Sequence, residues 1–462
     1  MKPLGQHAVV IGASMGGLLA ARALADFYEQ VTILERDTLP PVGEQRKGVP
    51  QGRHTHALLA RGLETMQAFF PGLTRDLVNK GALYEDGREA IRWFHEGGYH
   101  CQFKSGLFGL LISRPLLEGQ VRTRLLELPN LQIIGGCDVL GLVATPDHSR
   151  VTGVRLIPRQ VGSAEEILDA DLVVDASGRG SRTPAWLQSL GYLAPEEQTV
   201  KVGITYATRL YRRKPEHLAG QLGTLIAASP QNPRGGVMLA QENQQWIVTL
   251  LGYFDHKPPT DEPGFIEFAR ALNAPDIYRT IQEAEPLGDI IPATMPASQR
   301  RYYEHLALTR FPEGLLVIGD AICSFNPIYG QGMTVAALEA QKLRDCLAAG
   351  TKELARRFFK QAGEVVDIPW QIAVGNDLRI PDVEGKRTTR IRFINWYMSK
   401  LHVAARHDPV VSMAFHKVAN LLAPPPSVLH PLIALRVLRG NLRPVQTTTP
   451  IFRDTARQFA SV

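Results

Sequence analysis

The sequence predicts an α/β protein, α+β overall, in which a parallel-sheet domain carries an inserted β-sheet domain and a helical C-terminal region. Three observations predict this architecture. Residues 9–37 have the pattern strand, glycine-containing turn, helix and strand; residues 196–299 contain stretches that alternate apolar and polar residues; and the chain from residue 356 onward is helical in pattern and interrupted by prolines. A length of 462 residues suits two or three domains.

Composition narrows the class of protein. Hydrophobic residues make up 44% and charged residues 21% of the chain, and the net charge of +6 comes from basic and acidic residues that are scattered along it. We therefore expect no nucleic-acid partner, and only mild attraction to anionic ligands or membrane surfaces. There is neither a secretory signal pattern nor an apolar run of spanning length, so we expect a cytoplasmic protein, with a peripheral membrane contact left open.

The cysteines and histidines predict no metal site. Four cysteines stand far apart without C-x-x-C spacing, which favours reduced, buried thiols. His54 and His56 form an H-x-H pair, but no third ligand is evident.

The N-terminal unit has the spacing of a Rossmann-like nucleotide-binding βαβ motif. Gly12 begins the turn after an apolar strand, Gly17 lies where a helix must pack closely on that strand, and Glu35 ends the second strand 23 residues after Gly12. An acidic side chain at that position can accept hydrogen bonds from ribose hydroxyls, while the helix N-terminus faces a pyrophosphate. Ser14 stands where the middle glycine of G-x-G-x-x-G belongs, and its small hydroxyl can donate to a phosphate oxygen. A bare structural turn remains the alternative.

A second motif occupies residues 313–347, with the pattern strand, Gly-Asp turn, glycine-containing loop and helix. It resembles the Gly-Asp motif of flavoprotein monooxygenases of the p-hydroxybenzoate hydroxylase type. The resemblance implies that Asp320 holds a ribityl hydroxyl and that Gly330 and Gly332 let backbone amides approach the flavin ring. The helix that starts at Met333 would direct its positive end at the flavin.

Residues 169–191 resemble the middle motif of the same family, which serves the FAD pyrophosphate and the passing NADPH. Ser177 replaces the aspartate of that motif. This departure leaves FAD binding in place but predicts poor direct handling of NAD(P)H. The expected electron donor is NAD(P)H, which would act either directly or through a separate flavin reductase.

Two shorter stretches agree with this resemblance, which spans roughly residues 7–355. Residues 46–54 resemble the loop beside the flavin, and in residues 112–127 Arg114 matches the helix-start arginine that reaches the pyrophosphate; a strand at Val139 would approach the adenine. The predicted cofactor-binding residues are Gly12, Ser14, Gly16, Gly17, Glu35, Arg36, Arg46, Gly48, Val49, Arg114, Val139, Asp320, Pro327, Gly330, Gly332 and Met333.

The order of the motifs predicts a discontinuous FAD-binding domain formed by residues 1–90, 105–195 and 300–355. Residues 196–299, with 91–104, would form the substrate-binding sheet, and residues 356–462 the helical region. The apolar helices around Pro424–Pro426 are interpreted either as a lid or membrane-surface contact or as helices packed over the core. Candidate walls of the substrate pocket, each with plain core as its alternative, are Tyr206, Trp246, Met295, Phe325 and Tyr329.

The resemblance implies an FAD-dependent monooxygenase that inserts one oxygen atom from O2 into an apolar organic substrate through a flavin C4a-(hydro)peroxide. Motif details are closest to flavin epoxidases of polyketide polyether biosynthesis, with squalene epoxidase a distant relative, which favours epoxidation over aromatic hydroxylation. The sequence lacks the W-x-W-x-I-P stretch of flavin halogenases. Two alternatives stay open: a reductase or dehydrogenase of the geranylgeranyl-reductase kind, and a non-catalytic flavin-fold binding protein. No catalytic side chain can be named.

Overall fold

A computed structural model describes residues 2–442. Its strands are β1 (Gly5–Ile11), β2 (Tyr28–Glu35), β3 (Ala57–Leu58), β4 (Leu83–Asp86), β5 (Ile91–His95), β6 (Gly98–Tyr99), β7 (Phe108–Leu111), β8 (Leu131–Gly135), β9 (Cys137–Ala144), β10 (Val151–Pro158), β11 (Glu166–Asp169), β12 (Leu172–Asp175), β13 (Glu197–Arg212), β14 (Gly223–Ile226), β15 (Arg234–Gln241), β16 (Gln245–Tyr253), β17 (Ile291–Arg301), β18 (Leu315–Val317) and β19 (Cys323–Ser324). Its α-helices are α1 (Met15–Ala25), α2 (Ala60–Phe69), α3 (Leu73–Asn79), α4 (Gly87–Ala90), α5 (Arg114–Leu126), α6 (Thr183–Ser189), α7 (Glu262–Arg270), α8 (Asp276–Glu283), α9 (Tyr303–Ala307), α10 (Gly332–Ala348), α11 (Leu354–Asp377), α12 (Thr389–Ala404), α13 (Pro409–Ala419) and α14 (Pro431–Asn441).

A five-stranded parallel sheet in the order β18-β12-β1-β2-β8 forms the first domain. Its central strand is an uninterrupted apolar run in which Ala8, Val9 and Val10 are fully buried, because the sheet is covered by helices α1 and α5 and by the three-stranded antiparallel sheet β11-β10-β9. This sheet and its glycine turn confirm the predicted Rossmann-like α/β fold. The turn and the ends of β12 and β18 lie at the carboxyl edge of the sheet, which is where ligands bind in this class of fold.

An eight-stranded mixed sheet forms the second layer, in the order β19-β17-β13-β16-β15-β14-β5-β6. Its only parallel pair joins β14 to β5; the other neighbours are antiparallel. Strands β15 and β16 of this sheet form an antiparallel hairpin. Asn243 and Gln244 between them both have positive φ angles, as a tight hairpin turn requires.

The C-terminal region begins with the 24-residue helix α11, which packs on α9 and α10 of the first domain. Beyond it, α12, α13 and α14 enclose a small core of their own that includes Leu401, Ala404, Val411 and Val437. The prolines predicted to interrupt this region do so, since a short 3-10 helix, Pro425–Leu429, separates α13 from α14. None of the helices among residues 2–442 combines the length and apolar character needed to cross a bilayer.

Candidate active site

A cavity of about 1270 Å³ extends from the glycine turn, across the inner face of the eight-stranded sheet, to the C-terminal helices. Single ligand pockets usually measure roughly 300–1,000 Å³, so this volume suits two ligands side by side. Most of the predicted site residues meet here. Those that line the cavity are Ser14, Gly16, Arg114, Tyr206, Met295, Asp320, Phe325, Pro327, Tyr329, Gly330, Gly332 and Met333.

The turn before α1 explains how the serine is accommodated. Gly12 has φ +102°, and a Cβ at Gly17 would overlap the carbonyl oxygen of Gly12, so both positions need glycine. Ser14 occupies the N-cap of α1 in extended conformation, but its hydroxyl does not cap the helix. Instead, Ser14 Oγ accepts a hydrogen bond of 2.9 Å from Nη2 of Arg114. The extra side chain therefore supports the cavity-lining arginine.

Glu35 is buried at the end of β2 and is almost fully paired. Its two carboxylate oxygens accept from the backbone amides of Ala13 (2.7 Å) and Asp37 (3.0 Å), and it pairs with Nη1 of Arg46 at 2.9 Å. Burial alone would raise the pKa of Glu35, but Arg46 and the two amides outweigh it and hold the pKa below its usual value. An ionised carboxylate at this position has acceptor capacity left for a ribose hydroxyl.

Glu118 connects the two predicted arginines and was missed from the sequence. One oxygen of its carboxylate accepts a hydrogen bond from Nε of Arg46 at 2.9 Å, and the other accepts one from Nε of Arg114 at 3.1 Å. All three side chains are buried. A signal was available, because Glu118 follows Arg114 by four residues on one helix, a spacing at which opposite charges pair.

The Gly-Asp turn places Asp320 on the cavity wall, after β18. Burial raises the pKa of Asp320, and a hydrogen bond with Gln51 together with the positive charges of Arg114 and Arg179 oppose that rise. Behind the turn, Glu339 of α10 is fully buried and accepts from the backbone amide of Gly319 at 2.7 Å. Its other oxygen has no partner among the described residues, and burial raises the pKa of Glu339 to about 8.

A polar cluster lies under the loop that carries Tyr329. One oxygen of Asp377 accepts from the hydroxyls of Tyr329 (2.8 Å) and Tyr253 (2.9 Å) and from the side-chain amide of Asn326 (2.9 Å). Asn326 in turn accepts from the hydroxyl of Tyr206 at 2.6 Å. Of these five residues only Tyr206 and Tyr329 were predicted, as walls of the substrate pocket and not as members of a hydrogen-bonded network.

Nine predicted residues are not part of the cavity lining. Six of them belong to the glycine turn, the end of β2 and the loop that packs on it (Gly12, Gly17, Glu35, Arg46, Gly48 and Val49), and the other three are Trp246, Val139 and Arg36. Trp246 is fully buried in the core on the far face of the eight-stranded sheet, where its indole donates to His217 at 3.2 Å; its assignment as a pocket wall is wrong. Val139 packs against the core from β9, and the Arg36 side chain is exposed to solvent. Their contacts with an adenine stay predictions.

The loop before residue 54 packs on the end of β2. The backbone amide of Gly48 donates to Asp37 at 2.5 Å, and Val49 is buried next to the 3-10 helix Pro50–Arg53. His56 Nδ1 lies 2.9 Å from the His54 carbonyl oxygen, and no group of metal-ligating side chains occurs among the described residues.

These features fit a flavin dinucleotide. A Cβ placed at Gly330 or Gly332 would meet no atom within 4 Å, so their backbones border open space at the cavity. Nη2 of Arg46 is buried without a partner in the described part of the chain, beside the carboxylate of Glu35. The glycine turn, the carboxylate of Glu35 and the side chain of Asp320 thus offer the contacts that a dinucleotide needs at three separate points.

Comparisons with known proteins agree with this geometry. The sequence profile of the FAD binding domain family matches residues 6–359. "Protein Rv3254" of Mycobacterium tuberculosis is 36% identical over 462 residues, covering 95% of this chain and 94% of its own. The kynurenine 3-monooxygenase of Salinispora arenicola is 26% identical over 377 residues, covering 74% of this chain and 73% of its own. The crystal structure of a flavoprotein/dehydrogenase from Cytophaga hutchinsonii superposes with a TM-score of 0.66 at 15% identity, over 95% of this chain and 100% of its own, which is a likeness of fold.

Proposed function

Because the chain belongs to the FAD binding domain family, we propose that it is an FAD-dependent monooxygenase that inserts one oxygen atom of O2 into an apolar organic substrate. The observation that carries this proposal is the continuity of the cavity. One open space runs from the nucleotide-binding turn at Ser14, past the Gly330–Gly332 loop, to the inner face of the substrate sheet.

The residues that would hold FAD are already positioned by the chain itself. Glu35 would accept from the ribose, Ser14 and Arg114 would contact the pyrophosphate, and Asp320 would hold a ribityl hydroxyl. When bound, FAD supplies the redox chemistry and the activation of oxygen. The protein contributes position, a dry cavity and a fixed pattern of hydrogen bonds.

The part of the cavity beyond the Gly-Asp turn supports an apolar substrate. The walls contributed by the sheet are mainly apolar and include Ile91, Leu225, Val237, Leu239 and Leu251. Such a lining binds a substrate by excluding water, and it also shields a reactive oxygen species from water. We propose alkene epoxidation ahead of aromatic hydroxylation, on the resemblance of the motifs.

The electron donor is proposed to be NAD(P)H, acting directly or through a separate flavin reductase. The middle motif supports slow direct reduction, because Ser177 stands in place of the family's acidic residue. The nearby Asp175 is fully buried and accepts hydrogen bonds from the Ser177 amide and from the hydroxyls of Ser181 and Thr183. Because its carboxylate stabilises this turn, it does not replace the missing acidic residue. NADPH oxidation by the protein alone, compared with the rate after a flavin reductase is added, tests this point.

The experiment that tests the proposed reaction uses the FAD-loaded protein, a reducing system and oxygen-18 gas with a panel of alkenes and phenols. A product that carries one labelled oxygen atom establishes a monooxygenase, and its class decides between epoxidation and hydroxylation. Product that forms equally well under argon would instead establish the reductase or dehydrogenase alternative. Purified protein that retains no FAD would favour the non-catalytic alternative.

A further inference from the structure

Helices α12 and α14 expose large apolar side chains on the outside of the C-terminal region. We propose that this surface docks on a bilayer of anionic phospholipid. The surface consists of Phe393 and Trp396 on α12 and of Leu432, Leu435 and Leu438 on α14, and we call it the apolar face. Well over half of the Leu432 and Leu438 side chains is exposed, and about half of the two aromatic side chains.

The spacing on α14 gives the helix two apolar sides. At 100° per residue, Leu432, Leu435 and Leu438 fall within a 120° arc. Val437 is buried and Ile433 is partly buried against the core of the C-terminal helices, on roughly the opposite side. One apolar side of α14 therefore packs inward, and the second is left to solvent among the described residues.

The exposed side of α12 combines aromatic and basic residues. Phe393, Trp396 and Lys400 recur at spacings of three and four residues, so they lie along one stripe of the helix. The rings of Phe393 and Trp396 lie 5.8 Å apart. The two helices pack on each other, with the Asn441 side chain of α14 donating to the carbonyl oxygen of Lys400 at 2.8 Å. Tryptophan beside lysine or arginine is typical of helices that lie in the interface of a membrane.

The positive charge around the apolar face indicates an anionic partner. Residues 385–442 contain nine lysines and arginines but one acidic residue, Asp408, whereas the whole chain of 462 residues has a net charge of only +6. Asp408 is itself paired with Arg436 at 2.9 Å. This local positive charge complements anionic headgroups, while the leucines and aromatic rings can enter the boundary between headgroups and acyl chains.

The cavity reaches the same helices from the inside. Arg390 and Leu429 line the cavity and are also exposed, at the start of α12 and just before α14. An apolar substrate dissolved in a bilayer would meet this rim when the apolar face is docked. This delivery role rests on the proposed function, whereas the docking itself does not.

The test is co-sedimentation of the full-length, FAD-loaded protein with sucrose-loaded vesicles. Vesicles of phosphatidylcholine mixed with phosphatidylglycerol should capture the protein at low salt, and vesicles of phosphatidylcholine alone should capture much less. The double variant Leu435→Ser/Leu438→Ser should lose capture. The matched control Ile167→Ser/Leu193→Ser removes two similarly exposed apolar side chains elsewhere and should bind as the wild type does.

Charge reversal gives an independent readout. Lys400→Glu/Arg439→Glu should lower the vesicle partition coefficient by about tenfold or more, since each basic residue near an anionic surface contributes about 1 kcal/mol. The control Lys257→Glu/Lys352→Glu changes the net charge equally at other exposed positions and should have little effect.

Two other occupants of the apolar face would overturn the proposal. Residues 443–462 lie outside the described part of the chain, and a variant that ends at residue 442 and binds vesicles when the full chain does not would show that they cover the face. A dimer in light scattering that the double leucine variant converts to monomer, without vesicle capture of either, would identify a second copy. Absence of binding to both vesicle types by all variants would also reject docking. Oxygen-transfer assays in detergent-free buffer report on the proposed function separately.

Discussion

The hydroxyl of Tyr329 donates to Oδ1 of Asp377 across 2.8 Å, which joins the loop beside the flavin site to the last residue of α11. The same oxygen accepts from Tyr253 and Asn326, while Oδ2 has no partner among the described residues. The helical C-terminal region is thereby tied to the reaction cavity by one buried carboxyl group. Burial raises the pKa of Asp377 to about 6, against the opposing effect of these three hydrogen bonds.

We predict that Asp377→Asn removes a pH dependence of stability. The carboxyl group is more easily protonated in the folded protein than in the unfolded chain. Its contribution to stability is therefore complete below about pH 4 and is lost as the pH rises through about 6. The asparagine variant keeps the acceptor oxygen without titrating, so relative to wild type it should gain on the order of 3 kcal/mol between these limits. Urea unfolding across this pH range measures the difference.

The exposed neighbour Asp382 provides the control, because Asp382→Asn should follow the wild-type pH profile. Parallel profiles for wild type and Asp377→Asn would mean that the buried carboxyl group does not titrate in this range. The three donors would then be bound to an ionised carboxylate throughout this range.

We predict that Glu339→Gln stabilises the protein at neutral and alkaline pH. With its pKa raised from 4.5 to about 8, Glu339 stays protonated in the folded state while the same group ionises in the unfolded chain, so its contribution to stability is complete below about pH 4.5 and is lost as the pH rises through about 8. Glutamine can still accept from the Gly319 amide and does not ionise. Thermal unfolding should differ little at about pH 4, and the variant should unfold at an increasingly higher temperature than the wild type as the pH rises, with the full difference reached above about pH 8. Glu364→Gln, on the exposed side of α11, should show no such gain.

We predict that Glu118→Ala is strongly destabilising. It removes the carboxylate that Arg46 and Arg114 share, and the loss of one partner from a buried ion pair typically costs about 3–5 kcal/mol. FAD should bind more weakly as well, because Arg114 loses the partner that orients it toward the cavity. Glu127→Ala, at the exposed end of the same helix, is the matched control and should cost less than about 1 kcal/mol. A small effect of both substitutions would show that Glu35 and Ser14 suffice to hold the arginines.

The role of Ser14 is decided by comparing Ser14→Ala with Ser14→Gly. If its hydroxyl positions Arg114, both variants should raise the FAD dissociation constant by about two- to tenfold, the effect of one lost hydrogen bond. If close backbone approach to the pyrophosphate matters more, the glycine variant should bind FAD more tightly than the wild type. Fluorescence titration of the apoprotein with FAD separates these outcomes.

Local sequence chemistry accounts for what could be predicted. Gly12 and Gly17 are required by the geometry of one tight turn, Glu35 by the length of one βαβ unit, and the apolar strand before Gly12 by burial on both of its faces. Each of these requirements involves residues within about 25 positions of one another, so the pattern can be recognised without the rest of the chain. The predicted parallel sheet, the FAD-binding family and the interrupted C-terminal helices are confirmed for this reason.

The tertiary structure decided which buried residues face the cavity. Every residue from Trp246 to Tyr253 in β16 is buried, so the strand shows no polar alternation from which its inner face could be identified. Thr249, Leu251 and Tyr253 point into the cavity, and Trp246 lies on the opposite face because side chains alternate along a strand. Helices α7 and α8 cover the far side of the sheet, and their packing determines which side chains of β16 lie in the core and which face the cavity.

Glu118, Glu339 and Asp377 were missed for a related reason. Each is a charged residue in a helix, a position where solvent exposure is the ordinary expectation. Two of them have partners that are distant in the chain: Glu118 meets Arg46 across 72 residues, in addition to Arg114 on its own helix, and Asp377 meets Tyr253 across 124. The sequence by itself determined the fold and the FAD cofactor, and it predicted the points at which a flavin would be held. Only the packing of distant helices decided which carboxyl groups are removed from water and thereby acquire the hydrogen bonds and shifted pKa values that shape the site.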